Sequence, residues 1–88
     1  MSVSAPDIET ALRAALAPEA LEVVDDSHLH VGHAGAREGR HFSVAITSAR
    51  FEGLSRSERH RLVYDALHFL MPRGIHALAI DARAPQSR

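Results

Sequence analysis

The 88-residue chain contains no cysteine, no lysine and no tryptophan, and aromatic residues make up only 5% of it. Without cysteine it has no disulfide, no thiolate nucleophile and no thiolate metal site of its own making. Without lysine, all ten cationic side chains are arginine. No apolar run approaches the roughly 18 residues that a membrane span requires. The opening residues, Met1-Ser2-Val3-Ser4-Ala5-Pro6-Asp7, lack the basic and apolar regions of a secretory signal. We therefore expect a cytoplasmic protein with no membrane association. The net charge of −1 with neutral histidines removes a global electrostatic case for nucleic-acid binding and leaves only a local basic patch open. Phosphate-binding glycine loops, dinucleotide fingerprints and nucleophile elbows are missing, so the chain does not read as an enzyme.

What is present is a core and an excess of histidine. Hydrophobic residues reach 45%, which suits one small globular domain over residues 1–88. Its ordered core is expected over about residues 5–84. Seven histidines stand out, and His28, His30 and His33 fall within six positions. Protonating all seven would carry the net charge from −1 to +6, so surface potential depends strongly on pH near 6.5.

The elements follow from periodicity. Ser4 with Asp7 forms a capping pair, and Pro6 suits the first turn of a helix. Ile8, Ala11, Leu12, Ala15 and Leu16 then make one apolar stripe, which Pro18 ends. Leu21-Glu22-Val23-Val24 reads as a short strand, followed by a loop rich in Gly, Ala and His to about Arg40. Phe42, Val44 and Ile46 alternate with Ser43, Ala45 and Thr47 in a second strand. Ser55 with Glu58 makes a capping box, opening a helix of about four turns with Leu62, Val63, Ala66, Leu67, Leu70 and Met71 inward. Pro72-Arg73-Gly74 stops it, Ile75-His76-Ala77-Leu78-Ala79-Ile80 forms a last strand, and a polar tail begins at Asp81. The order is α-β-β-α-β, an α+β domain. The first two strands pair antiparallel across the histidine loop. The second and third join through a helical crossover and run parallel, giving a three-stranded mixed sheet with helices on one face.

Parallel strands start at the same end of a sheet. His76 opens the third strand, so it is expected close to the loop of His28, His30 and His33, more than forty residues away in sequence. Such a convergence of imidazoles suits zinc, iron or copper, completed by a partner because no closed donor set is present. For any one loop histidine the simpler reading is a solvated polar side chain, because a ligand set needs three or four convergent groups. His76 itself shares a strand face with Leu78 and Ile80, which also fits a half-buried structural histidine. Gly32-His33-Ala34-Gly35 matches the G-x-x-G clamp of KH modules, but it lies between strands rather than helices and is rejected as one. Arg50, Arg56 and Arg61 are candidates for phosphate contacts. Arg59 points toward the apolar face and suits a role in tying down a loop; the alternative for the group is a solvated helix face.

Five blocks together carry a resemblance: Asp26-Ser27-His28-Leu29-His30, His41-Phe42-Ser43-Val44, Arg50-Phe51-Glu52-Gly53-Leu54, Arg59-His60-Arg61-Leu62-Val63-Tyr64 and Ile75-His76-Ala77-Leu78-Ala79-Ile80. In order and spacing they resemble the BolA family. The resemblance implies a KH-like class II fold and a non-catalytic partner of monothiol glutaredoxins in iron–sulfur metabolism. It implies a shared 2Fe-2S cluster, absent from the isolated chain, with thiolates of glutaredoxin and glutathione on one side. On the other side it implies the histidine opening the last strand, His76, with a loop residue, His30. The loop from Val31 to Arg40 is longer than in many members and adds His33, so His33 and His28 stand as alternates. Some family members are described as transcriptional regulators, which keeps DNA as an alternative partner through Arg50, Arg56 and Arg61. A monomer or weak homodimer is expected.

Overall fold

The computed structural model describes residues 3–26 and 40–86. Helix α1 spans Ala5–Leu16, strand β1 Ala20–Asp25, strand β2 Arg40–Thr47, helix α2 Arg56–Leu67 and strand β3 Ile75–Arg83. Both capping boxes form. The Asp7 amide donates to Ser4 Oγ at 3.3 Å while Asp7 Oδ2 accepts from the Ser4 amide at 2.9 Å. Ser55 and Glu58 reciprocate in the same way at 3.2 and 2.8 Å. These bonds favour the ionised carboxylates and hold both acids below the usual carboxylate range.

The sheet order is β1-β2-β3, with β1 antiparallel and β3 parallel to the central β2. The expected α+β architecture is therefore the observed one. Phe42, Val44 and Ile46 point to one face and join Ile8, Leu12 and Leu16 of α1 with Val63 and Leu67 of α2 in a single buried cluster. Both helices thus cover the same face. The other face carries Glu22, Val24, Ser43, Ala45, Ala79 and Asp81, most of them exposed. Among the described residues no helix is long and apolar enough to cross a membrane.

One burial and two boundaries differ from expectation. Ala15 is exposed, because the inward stripe narrows to Ile8, Leu12 and Leu16. Helix α2 ends at Leu67 rather than continuing to Pro72. Bonds from the His68 amide to the Asp65 carbonyl and from Leu70 to Leu67 tighten the chain first, and Met71–Arg73 forms a 3₁₀ turn. Leu70 remains buried all the same. Strand β3 runs to Arg83 instead of ending at Ile80. There Asp81, Ala82 and Arg83 pair with Ala45, Ile46 and Thr47, and Ala82 and Ala84 pack against the core. Backbone pairing set by register overrides the polar character of this stretch.

One polar residue is locked into the core. Ser48, 1% exposed, donates through Oγ to the Leu16 carbonyl at 2.7 Å and accepts from the Arg50 amide at 3.1 Å. It satisfies a helix-terminal carbonyl and caps the turn Ala49–Phe51 at once. Ser48→Ala leaves that buried carbonyl without its donor, and urea unfolding should register a loss of about 1–3 kcal/mol.

Candidate functional site

The site grows from the place where β2 and β3 begin. The Arg40 amide donates to the Gly74 carbonyl at 2.8 Å, tying the two strand starts together. Gly74 has φ of 145°, a conformation that side-chain-bearing residues rarely adopt, so glycine is needed to turn from the 3₁₀ segment into β3. The pairing then slips. Arg40 is opposite Ile75 but His41 is opposite Ala77, which leaves His76 as an extra residue in a β-bulge.

The bulge decides where His76 points. Strict alternation would place it on the inner face with Leu78 and Ile80. Instead Ile75 enters the core, 6% exposed, and His76 is exposed. This corrects the expected half-buried placement, and the physical reason is the residue that the bulge inserts. The outward turn brings the His76 ring to His41, with centroids 5.1 Å apart and planes inclined at 48°. His41 is only partly exposed. His41 belongs to the family block His41-Phe42-Ser43-Val44, which by itself assigns it no role. Its signal was present, since His41 begins β2 as His76 begins β3. Alternation alone, however, set the two on opposite faces.

The base of the histidine loop is fixed beside this pair. The Asp26 amide donates to the His41 carbonyl at 2.7 Å, and Ser43 Oγ donates to Asp26 Oδ2. Arg40 Nη1 meets Asp25 Oδ2 at 2.9 Å. The residues on either side of the loop therefore lie at the same end of the sheet as His76, as the parallel topology requires. His28, His30 and His33 themselves lie outside the described residues. Among the described residues no three histidine, aspartate or glutamate side chains converge to hold a metal ion.

The arginines do not form one patch. Arg50 sits in the 3₁₀ turn, and Arg56 and Arg61 are five positions apart on α2, about 140° around the helix. All three are exposed. Arg59 ties the structure together as its position suggested, donating through Nε to the Leu54 carbonyl at 3.1 Å and through Nη1 to the Ala82 carbonyl at 3.3 Å.

The family model of BolA-like proteins matches residues 12–87. The chain belongs to the BolA-like family. It is 46% identical over 88 residues to mouse BolA-like protein 1, covering 96% of this chain and 63% of that protein. It is 44% identical over 73 residues to the Escherichia coli DNA-binding transcriptional regulator BolA, covering 83% of this chain and 68% of the relative. The chain thus spans less than two thirds of the mammalian relatives' length. The BolA domain of SufE1 from Arabidopsis thaliana superposes with a TM-score of 0.82 at 41% identity, covering 97% of this chain and 95% of that one.

The hinge glycine offers a direct check on the site's geometry. Gly74→Ala forces an alanine to φ near 145°, which should cost about 1–3 kcal/mol in denaturant unfolding. It should also weaken the nuclear Overhauser contacts between the His41 and His76 rings.

Proposed function

We propose that this BolA-like protein is a non-catalytic adaptor that binds a monothiol glutaredoxin and shares a 2Fe-2S cluster with it through His76. The observation that carries the reading is the exposure of His76 on the β3 bulge, within 5.1 Å of the His41 ring. An imidazole turned outward can reach metal held by another molecule, whereas one in the core cannot. Neutral histidine is a suitable donor for iron, and in a chain without cysteine it is the softest strong donor available. With imidazole replacing thiolate on one iron, such a cluster has a raised reduction potential.

In this reading the glutaredoxin cysteine and glutathione supply thiolates on one side. This chain supplies His76 and one histidine of the loop, His30 first and then His33 or His28. His41 supports the His76 ring and limits its rotation. The bonds of Asp25, Asp26, Arg40 and Ser43 hold the base of the loop near the strand start. Assembly, delivery and sensing of iron are roles compatible with this chemistry.

A second reading is DNA-binding regulation through Arg50, Arg56 and Arg61. It rests on the similarity to the E. coli DNA-binding transcriptional regulator BolA and on the exposure of all three side chains. The divergence of Arg56 and Arg61 around α2 weighs against a single phosphate-binding face.

Co-reconstitution with a monothiol glutaredoxin, glutathione, iron and sulfide should give visible circular dichroism distinct from glutaredoxin alone. His76→Ala should abolish that difference with the far-ultraviolet spectrum unchanged, while His41→Ala should reduce cluster retention about tenfold. An unaltered spectrum in His76→Ala would remove His76 from the site. For the second reading, duplex affinity should fall steeply between 50 and 200 mM salt, on the order of tenfold for each two phosphates contacted. No duplex binding at low salt would dispose of it.

A further inference from the structure

Strand β3 forms one margin of the sheet. The Ser48 amide bonds the Arg83 carbonyl at 2.9 Å, so Arg83, and by parallel alternation Asp81, Ala79 and Ala77, direct their main-chain groups to β2. Leu78, Ile80 and Ala82 therefore direct theirs outward. The Ala82 carbonyl confirms this, because Arg59 Nη1 reaches it from outside the sheet at 3.3 Å. No hydrogen bond reaches the outward groups of Leu78 or Ile80 from any described residue. The edge also lacks the lysine or proline that usually blocks strand addition, and residues 77–80 carry no charge.

A cavity of about 500 Å³ lies between this edge and α2. Arg56, Arg59 and His60 line it from the helix, and Ile80, Asp81 and Ala82 line it from the strand. Arg56 and His60 are four residues apart and share a helix face. Asp81 is the one acid in this lining; its Oδ1 already accepts from Arg83 Nε at 3.0 Å, and the nearby charge of Arg56 also favours its ionised form. The groove is therefore cationic on one wall, and on the other, among the described residues, the outward main-chain groups of Ile80 have no partner, with those of Leu78 continuing along the same edge.

We propose that this groove takes an extended acidic segment of a partner protein, which adds to the sheet as a fourth strand. Its backbone bonds Leu78 and Ile80, and alternate carboxylates meet Arg56 and His60. Arg59, spent on Ala82, closes the far end and fixes where pairing stops. Nucleic acid fits the cations, but it cannot satisfy an alternating row of amide and carbonyl groups. No phenylalanine, tyrosine or tryptophan lines the groove as a base-stacking platform. A second copy of β3 brings Asp81 with Arg83 and so adds no net negative charge.

The test uses the whole protein, nitrogen-15 labelled, and an acetylated peptide of alternating valine and glutamate, about ten residues long. Peptide should slow amide hydrogen exchange at Leu78 and Ile80. Alternate N-methylation keeps every carboxylate, and in one of its two frames it should weaken binding about tenfold or more. Arg56→Glu, a change at an exposed position, should weaken binding by a similar factor, and an alternating valine–lysine peptide should not bind. Equal binding of both N-methylated peptides overturns strand addition, as does unchanged exchange at Leu78 and Ile80. Displacement of the peptide by a DNA duplex of higher affinity at the same salt would overturn the choice of partner.

Discussion

Parallel pairing of β2 with β3 is the constraint on which the rest of this molecule depends. A parallel pair needs a crossover, and the crossover here is α2, which must lie on the sheet face that Phe42, Val44 and Ile46 make apolar. Helix α1 then closes the same face with Ile8, Leu12 and Leu16, and Ser48 bonds its last turn to the end of β2. The other consequence is directional. Both strands start at one end, so Arg40, His41, Gly74 and His76 become neighbours through topology alone. A hairpin in place of the crossover would bury much the same apolar side chains and carry His76 to the opposite end of the sheet.

The bulge turns this proximity outward. In an unbroken strand, the bulky Ile75 would face outward and His76 would turn into the core. There its ring nitrogens would need buried partners, at a cost of about 1–3 kcal/mol if unmet. One inserted residue reverses both placements, so the hydrophobic effect on Ile75 and the hydration of His76 favour the same geometry. The feature that exposes the candidate ligand is thus also the one that completes the core beneath it.

This explains which parts were legible from sequence. Capping by Ser4 and Ser55, the alternation of Phe42, Val44 and Ile46, and the α-β-β-α-β order all arise from local chemistry, and each appears in the fold. The proximity of His76 to the base of the histidine loop was also legible, because parallel topology requires it. The pairing of His41 with His76 was not. It depends on a register slip between two strands thirty-odd residues apart, and no local pattern near Ile75 announces that slip. The continuation of β3 through Asp81 to Arg83 was hidden for the same reason, since it follows from what β2 offers across the ladder. The loop positions His28, His30 and His33 remain a reading of sequence alone.

Two surfaces on one strand then raise the question of whether they act together. His76 and Ile80 are four residues apart on β3, or about 13 Å in an extended strand. His76 projects its ring at the bulged start, whereas Leu78 and Ile80 offer only main-chain groups along the outer edge. A strand laid along that edge would occupy β3 without covering the His41 side of the His76 ring, because β2 lies on the opposite flank. One partner carrying both a metal site and an acidic extended segment can therefore engage both surfaces at once. Linking them in one chain makes the second contact intramolecular and raises overall affinity without any new contact. Loss of the edge would then weaken capture of the partner while leaving the ligand chemistry at His76 intact, so the two surfaces are separable by experiment even if one protein uses both.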